Sequence, residues 1–516
     1  MSTRRHALAW TAGSLLAAAG ARAWAQPAGA KVDPLADLDG WLEAQRIAWR
    51  VPGLAVALVQ DGQVIYLKGF GFRDAAQSLP VNTETIFRGG SVTKAFGAAT
   101  VAMLVDEGRM SWDAPVTTYI PELRFAGGDA YSAVSLRDML SHHTGLPRHE
   151  LLWYNNQSLT RQALVARLPH LEMTAPLRTR YQYNNLMVVL AGLAVERVTG
   201  QRWETFTRSR LLAPLGMTRV NLSALEMAAD ANHAVGHTRN GARKPVPVPL
   251  RHDPLLGPAG AVNASIGEFA RWVQLQLGRG QFEGRRLLSP AAMAAMWEPL
   301  VATGPVPARA DAPRSHVGLG WRIDRYRDTL RVAHGGDLNG FTARVALLPQ
   351  RNAGLAVLVN HGSHPLPNAL MPDLLDRLLG LTPEDNAPRA LARREAAEAA
   401  ALRSEAEAAA TKLASPAAPT RPPLPPGAYV GNYSHPGYGE LTVSQAGEAL
   451  AVRYNDMPAL LKHRQDDGFE THTERPEHED FSGLKLGFLS DDKGGILGIA
   501  AHMQDGVQAI LFRRTA

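Results

Sequence analysis

Gly89-Gly90-Ser91-Val92-Thr93-Lys94-Ala95-Phe96 begins a run that reads as a helix from Ser91 to Glu107, closed by Gly108. Phe96, Ala99, Met103 and Leu104 recur at helical spacing and mark its buried face. In a helix, positions i and i+3 share a face, which brings the Lys94 ammonium group within reach of the Ser91 hydroxyl. The helix N-terminus adds backbone N–H groups and a positive dipole where an oxyanion would form. Gly89 and Gly90 leave room for a substrate. The Ser-x-x-Lys spacing recurs twice. Ser482-Gly483-Leu484-Lys485 lies in strand-like sequence, where an offset of three throws the two side chains to opposite faces. Ser490-Asp491-Asp492-Lys493 runs into Gly494-Gly495 and reads as a hairpin loop. Only Ser91 opens a helix.

Outward from this run, Leu54–Leu58, the turn Asp61-Gly62 and Val64–Leu67 predict a β-hairpin. Leu186–Val198, closed by Gly200, predicts a second helix. Arg331–Ala333, Phe341–Leu348 and Gly354–Val359 predict strands. Strands at both ends with helices between them predict an α+β domain over residues 34–381, with one antiparallel sheet built from both ends and covered by helices. Composition shifts at Thr382. Residues 389–412 are nearly all Ala, Glu and Arg, and Pro416, Pro419, Pro422, Pro423, Pro425 and Pro426 follow. Residues 382–426 therefore read as a helical spacer and a stiff tether. From 427 to 516, short alternating runs recur at Leu441–Val443, Leu450–Val452, Phe469–Thr471, Leu484–Phe488, Ile496–Ile499 and Ala509–Phe512. These predict a small all-β barrel.

Arg4-Arg5, an apolar stretch from Ala7 to Ala21 and Ala23-Trp24-Ala25 have the layout of an export signal cleaved after residue 25. The stretch is shorter than the roughly 20 residues that span a bilayer. The paired arginines also fit a twin-arginine signal, so the mature protein is expected in the periplasm or medium. The 516 residues carry a net charge of +6, with 45% apolar and 20% charged residues. That balance excludes whole-chain disorder, and scattered basic residues give nucleic-acid binding no footing. The absence of cysteine excludes disulfides, thiol nucleophiles and thiolate metal sites.

Two further motifs bear on Ser91. Tyr183-Asn184-Asn185 offers a phenol to relay protons and an amide to bind a carbonyl, at the entrance of an apolar helix. Tyr154-Asn155-Asn156 repeats the pattern in a polar loop. His334-Gly335-Gly336 follows the strand Arg331–Ala333, where two glycines at a strand edge let a substrate approach. Its counterpart His143-Thr144-Gly145 lies in a helix-ending turn.

The order Ser-x-x-Lys, Tyr-x-Asn, His-x-Gly resembles the serine β-lactamase and penicillin-binding-protein superfamily, nearest its class C, esterase and D-aminopeptidase branch. Leu140-Ser141-His142-His143-Thr144-Gly145-Leu146-Pro147, Pro214-Leu215-Gly216-Met217-Thr218, Pro258-Ala259-Gly260, Gly318-Leu319-Gly320-Trp321 and Gly340-Phe341 extend the resemblance over residues 38–380. The last segment, from Tyr429-Val430-Gly431-Asn432-Tyr433 to Phe512-Arg513, resembles the lipocalin-like barrel of some members. The resemblance implies Ser91 as acylated nucleophile. Lys94 and Tyr183 share general-base work, Lys94 helping to lower the Tyr183 pKa. Asn185 orients the substrate, and the N–H groups of Ser91 and Asp337 form the oxyanion hole. It implies no metal and no cofactor.

One position departs. The branch's β-lactamases carry Lys-Thr-Gly where this chain has His334-Gly335-Gly336. A lysine there can hold a substrate carboxylate, whereas histidine, with a pKa of about 6.5, is mostly neutral at pH 7. The histidine thus favours small esters or D-amino-acid peptides over β-lactams, and predicts a limb in the pH profile near its pKa. Arg344, on the next strand, reads as a surface arginine or, alternatively, as a carboxylate contact. The alternatives are a broad esterase or weak β-lactamase, and a penicillin- or peptide-responsive receptor that acylates without turnover. The barrel is expected to cap the cleft or join copies of the chain. No Gly-x-Ser-x-Gly elbow or nucleotide-binding loop occurs. His149-Glu150-Leu151-Leu152-Trp153 fails the zinc pattern His-Glu-x-x-His at its last position, and the His472–Asp480 cluster reads as a solvated loop.

Overall fold

The computed structural model describes residue 33 and residues 35–239, 244–304, 314–414 and 424–515. The expected export signal, and the prolines at 416, 419, 422 and 423, lie outside the described residues. Among the described residues nine strands form one antiparallel sheet: β1 (Gly53–Gln60), β2 (Gln63–Asp74), β3 (Leu79–Pro80), β4 (Val301–Ala302), β5 (His316–Val317), β6 (Arg322–Tyr326), β7 (Thr329–Leu338), β8 (Phe341–Leu348) and β9 (Ala353–Val359). Their spatial order is β4-β5-β6-β7-β8-β9-β1-β2-β3, so the sheet joins the two ends of the domain. The predicted hairpin is β1–β2, with Asp61 and Gly62 both at positive φ, 50° and 77°, as a two-residue turn requires.

Strand β1 is buried along seven of its eight residues, which explains its nearly unbroken apolar run. Leu54, Val56 and Leu58 face a layer built from α1 (Leu38–Ala48) and α5 (Leu366–Leu378). Ala55, Ala57 and Val59 face the main core. That core is filled by α2 (Thr93–Asp106), α3 (Asn185–Thr199) and α4 (Ile266–Leu277). Helix α2 departs from the expected one-sided pattern: every residue from Thr93 to Leu104 is buried. Small residues (Ala95, Gly97, Ala98, Ala99, Ala102) let it run between neighbours, and Phe96 stacks on Trp272 of α4 at 3.8 Å. Strand β7 also differs. His334-Gly335-Gly336 is inside the strand rather than past its end, in register with Val345, Arg344 and Ala343 of β8.

Helix α6 (Asn386–Ala414) is the predicted Ala/Glu/Arg spacer. Buried Asp373 of α5 starts it, accepting hydrogen bonds from the Asn386 and Ala387 backbones, both at 2.9 Å. The last segment is a closed barrel of eight strands: β10 (Gly431–His435), β11 (Gly439–Ala446), β12 (Ala449–Tyr454), β13 (Met457–Gln465), β14 (Gly468–His472), β15 (Lys485–Ser490), β16 (Ile496–Ala501) and β17 (Ile510–Arg514). Six were expected; β10 and β13 are the additions. Tyr433, Tyr454, Phe469, Phe488 and Phe512 are buried in its core. The His472–Asp480 segment is not a wholly solvated loop, because it forms a short turn, Pro476–Phe481, that buries His478 and Phe481. Among the described residues no helix is long and apolar enough to cross a membrane.

Candidate active site

Ser91 sits in a 3-10 turn, Gly90–Val92, that runs directly into α2. Its N–H therefore stands in the first turn of a helix, where no intrahelical acceptor exists. Strand β7 presses against this turn. A Cβ on Gly336 would lie 1.8 Å from the Gly89 carbonyl oxygen and 2.9 Å from the Ser91 nitrogen, so only glycine fits. Gly90 adopts φ +52°, and a Cβ there would meet the Asp337 nitrogen at 3.1 Å. The two glycines thus bring the backbones at Ser91 and Asp337 together.

The Ser91 hydroxyl lies between two groups. The Tyr183 phenol donates to Ser91 Oγ at 2.7 Å, and Lys94 Nζ is 2.9 Å away. Lys94 is fully buried, and its Nζ also donates to Asn185 Oδ1 at 2.6 Å and the Ala259 carbonyl at 3.0 Å. Burial, which penalises the cation, lowers its pKa to about 7; Glu150 opposes the shift and Arg148 adds to it. A neutral amine has two N–H bonds and one lone pair. Asn185 and Ala259 take the two hydrogens, which leaves the lone pair for the Ser91 hydroxyl proton. Tyr183 behaves oppositely to the expected lowering: burial pushes its pKa up, and the bond to Ser91 offsets this only in part. The phenol keeps its proton at neutral pH. His142 packs 4.4 Å from the Tyr183 ring, held neutral by burial and by Lys94.

The network continues beyond the predicted residues. Asn185 Nδ2 donates to Glu150 Oε1 at 2.7 Å, and Arg148 Nε donates to Glu150 Oε2 at 2.9 Å. The Arg148 guanidinium then stands 5.0 Å from the Tyr183 ring centroid. A ring of contacts therefore closes around the serine: Ser91, Lys94, Asn185, Glu150, Arg148, Tyr183. Arg148 and Glu150 escaped the sequence reading, which met Glu150 only as part of a failed zinc pattern. The available signal was two charges between the buried runs Leu146 and Leu151-Leu152-Trp153.

The third motif is also at the site. His334 is buried; its Nδ1–H donates to the Gly335 carbonyl at 2.7 Å. Burial, then the neighbouring Lys94, lowers its pKa to about 3, so it is neutral across the physiological range. His334 therefore supplies no pH limb near 6.5, contrary to the expectation from a free imidazole. Arg344 is already committed, donating to the Ala343 and Gly336 carbonyls at 2.8 and 3.2 Å and pairing with Asp337 at 3.2 Å. It is not the free cation that a substrate carboxylate would need. Tyr154-Asn155-Asn156 belongs to the contact with the barrel, where Asn155 Nδ2 donates to the Asn455 carbonyl at 2.8 Å. No cluster of metal-ligating side chains occurs among the described residues.

Comparison with known proteins supplies the frame for this geometry. The Beta-lactamase family model matches residues 38–379, and a domain of unknown function (DUF3471) matches residues 415–514. The chain is 31% identical over 408 residues to unguisins hydrolase ungD' of Aspergillus campestris, covering 77% of this chain and 75% of that protein. It is 27% identical over 351 residues to penicillin-binding protein 4 of Amycolatopsis lactamdurans, covering 66% of this chain and 87% of the relative. The solved octameric penicillin-binding protein homologue from Pyrococcus abyssi superposes with a TM-score of 0.61 at 22% identity, covering 93% of this chain and all of that one.

Proposed function

The chain belongs to the beta-lactamase family, and from that premise we propose that it is an exported serine hydrolase working through an acyl-enzyme on Ser91. The observation that carries this reading is the Ser91 hydroxyl held between a buried amine and a protonated phenol, at 2.9 and 2.7 Å. Neutral Lys94 accepts the Oγ proton as Oγ attacks the substrate carbonyl, and the N–H groups of Ser91 and Asp337 receive the oxyanion. Tyr183 gives its proton to the leaving nitrogen or oxygen and is reloaded from Lys94. Water then enters, loses a proton to the same pair, and releases the acid as Oγ regains its own.

The substrate class is small amides or esters, D-amino-acid peptides and carboxylic esters foremost. Neutral His334 and occupied Arg344 support this choice, since neither offers the fixed cation that binds the carboxylate of a β-lactam. A relative named as an unguisins hydrolase is in keeping with a hydrolase. We also propose that copies associate through the barrel. Leu489, Leu497 and Leu511 lie on its exterior, 44%, 58% and 54% exposed, and the Pyrococcus homologue is an octamer.

The test is a time course of p-nitrophenyl ester hydrolysis beside Ser91→Ala. Steady turnover that the substitution abolishes supports the hydrolase. A single-equivalent burst that stalls moves the reading to a receptor. Equal rates in both proteins overturn it.

A further inference from the structure

His149 stands between the two charged residues that close the ring around Ser91. Its backbone is left-handed, φ 44° and ψ 46°, a conformation that costs a residue with a Cβ about 1–2 kcal/mol. Three of the contacts that hold it there come from the barrel, across nearly 300 residues of sequence or more. The His149 N–H donates to Gln504 Oε1 at 2.6 Å. The Tyr438 hydroxyl pairs with His149 Nδ1 at 2.8 Å, and the Tyr438 ring meets the imidazole edge-on at 5.8 Å. The domain itself contributes the Glu172 carbonyl, 3.1 Å from Nε2, and the Leu152 N–H, which donates to the His149 carbonyl at 3.2 Å. The Glu172 carbonyl accepts, so Nε2 carries the hydrogen, Nδ1 is bare, and the Tyr438 hydroxyl donates. Two residues on, Asn455 of the barrel donates to the Leu151 carbonyl at 2.9 Å.

The backbone turn at His149 decides where its neighbours go. Arg148 reaches over Tyr183, and Glu150 takes the Asn185 amide that orients Lys94. From this chain of contacts we infer that Tyr438 and Gln504 of the barrel are positioning residues for the acylation chemistry, acting through His149 on Glu150 and Arg148. The inference rests on the serine acyl-enzyme reading above. It makes the barrel more than an appended module, because the segment that carries Arg148 and Glu150 into the ring around Ser91 is held from outside the hydrolase domain.

The experiment uses the full chain, with kcat and KM for a p-nitrophenyl ester. Tyr438→Phe removes one hydroxyl and keeps the ring, and Gln504→Leu removes the acceptor; each is expected to lower kcat by about tenfold with little change in KM. Gln504→Glu keeps an oxygen for the His149 N–H and is expected to restore kcat, which a defect of general packing would not allow. Tyr438→Phe is then combined with Glu150→Gln. If Tyr438 acts through Glu150, the double variant falls well short of the product of the two single losses. Wild-type kcat in both Tyr438→Phe and Gln504→Leu overturns the inference, as does a fully multiplicative double variant. Should Gln504→Leu fail to fold, Tyr438→Phe alone decides by the same criteria. Ser91→Ala in parallel separates the two levels: an active Ser91→Ala sinks the acyl-enzyme reading, whereas an inactive one beside undiminished barrel variants sinks only the inference.

Discussion

At the scale of single residues, the proposed chemistry turns on how burial treats Lys94. A buried amine with a pKa of about 7 is protonated, and useless as a base, below that pH, and becomes competent above it. We expect kcat/KM for a neutral ester to rise through about pH 7 and then level off. His334→Asn should leave that limb in place, because His334, at about 3, is neutral throughout. A limb that vanishes in His334→Asn would instead assign the titration to the histidine. Gly336 gives a second expectation. Its Cβ would collide with the Gly89 carbonyl, so Gly336→Ala must push β7 from the serine turn and cut kcat by about 10²–10³-fold, as losing an oxyanion donor does. Ser91, Lys94, Tyr183, Asn185 and His334 were legible in the sequence because each sits in a short motif with a chemical rationale. Glu150 was not, because its importance comes from an amide 35 residues away, and no local pattern encodes that meeting.

At the scale of elements, the spacer helix α6 depends on one carboxylate. Asp373 is fully buried and satisfies the Asn386 and Ala387 N–H groups together with the Asn386 side chain. Asp373→Ala should cost about 1–3 kcal/mol, read as a lower Tm and as earlier proteolytic cleavage within residues 386–414. Several elements were foreseen for plain physical reasons: a turn needing positive φ at Asp61-Gly62, a glycine stop at Gly200, alternation in the barrel strands. Strand β13 escaped notice because it begins Met457-Pro458 and carries Lys462, His463 and Arg464. At Pro458 only β12 is in register, through Arg453, and β14 joins from Leu460 onward. One side of the proline therefore has no ladder partner to lose. The reach of β7 to Leu338 was hidden because glycines weaken a strand in isolation, and here β8 on one side and the serine turn on the other hold them.

At the scale of the whole molecule, the exposed leucines on the barrel give a prediction about assembly. Leu497→Glu with Leu511→Glu should reduce the mass measured by light scattering and leave the far-UV spectrum unchanged; an unaltered mass would place any association elsewhere. The sheet carries a different consequence. Strand β1 lies between β2 and β9, and the Gly53 N–H donates to Asn360 Oδ1 across 307 residues. A nascent chain still on the ribosome has the nucleophile, the amine and the phenol long before it has β7 to β9. Without those strands β1 has no second neighbour, and Asp337, which β7 sets beside Ser91, is not yet made. Contacts of such separation also form late. On the acyl-enzyme reading, the oxyanion hole is therefore absent throughout most of synthesis, and it forms only when the last strands of the sheet slot in beside the first.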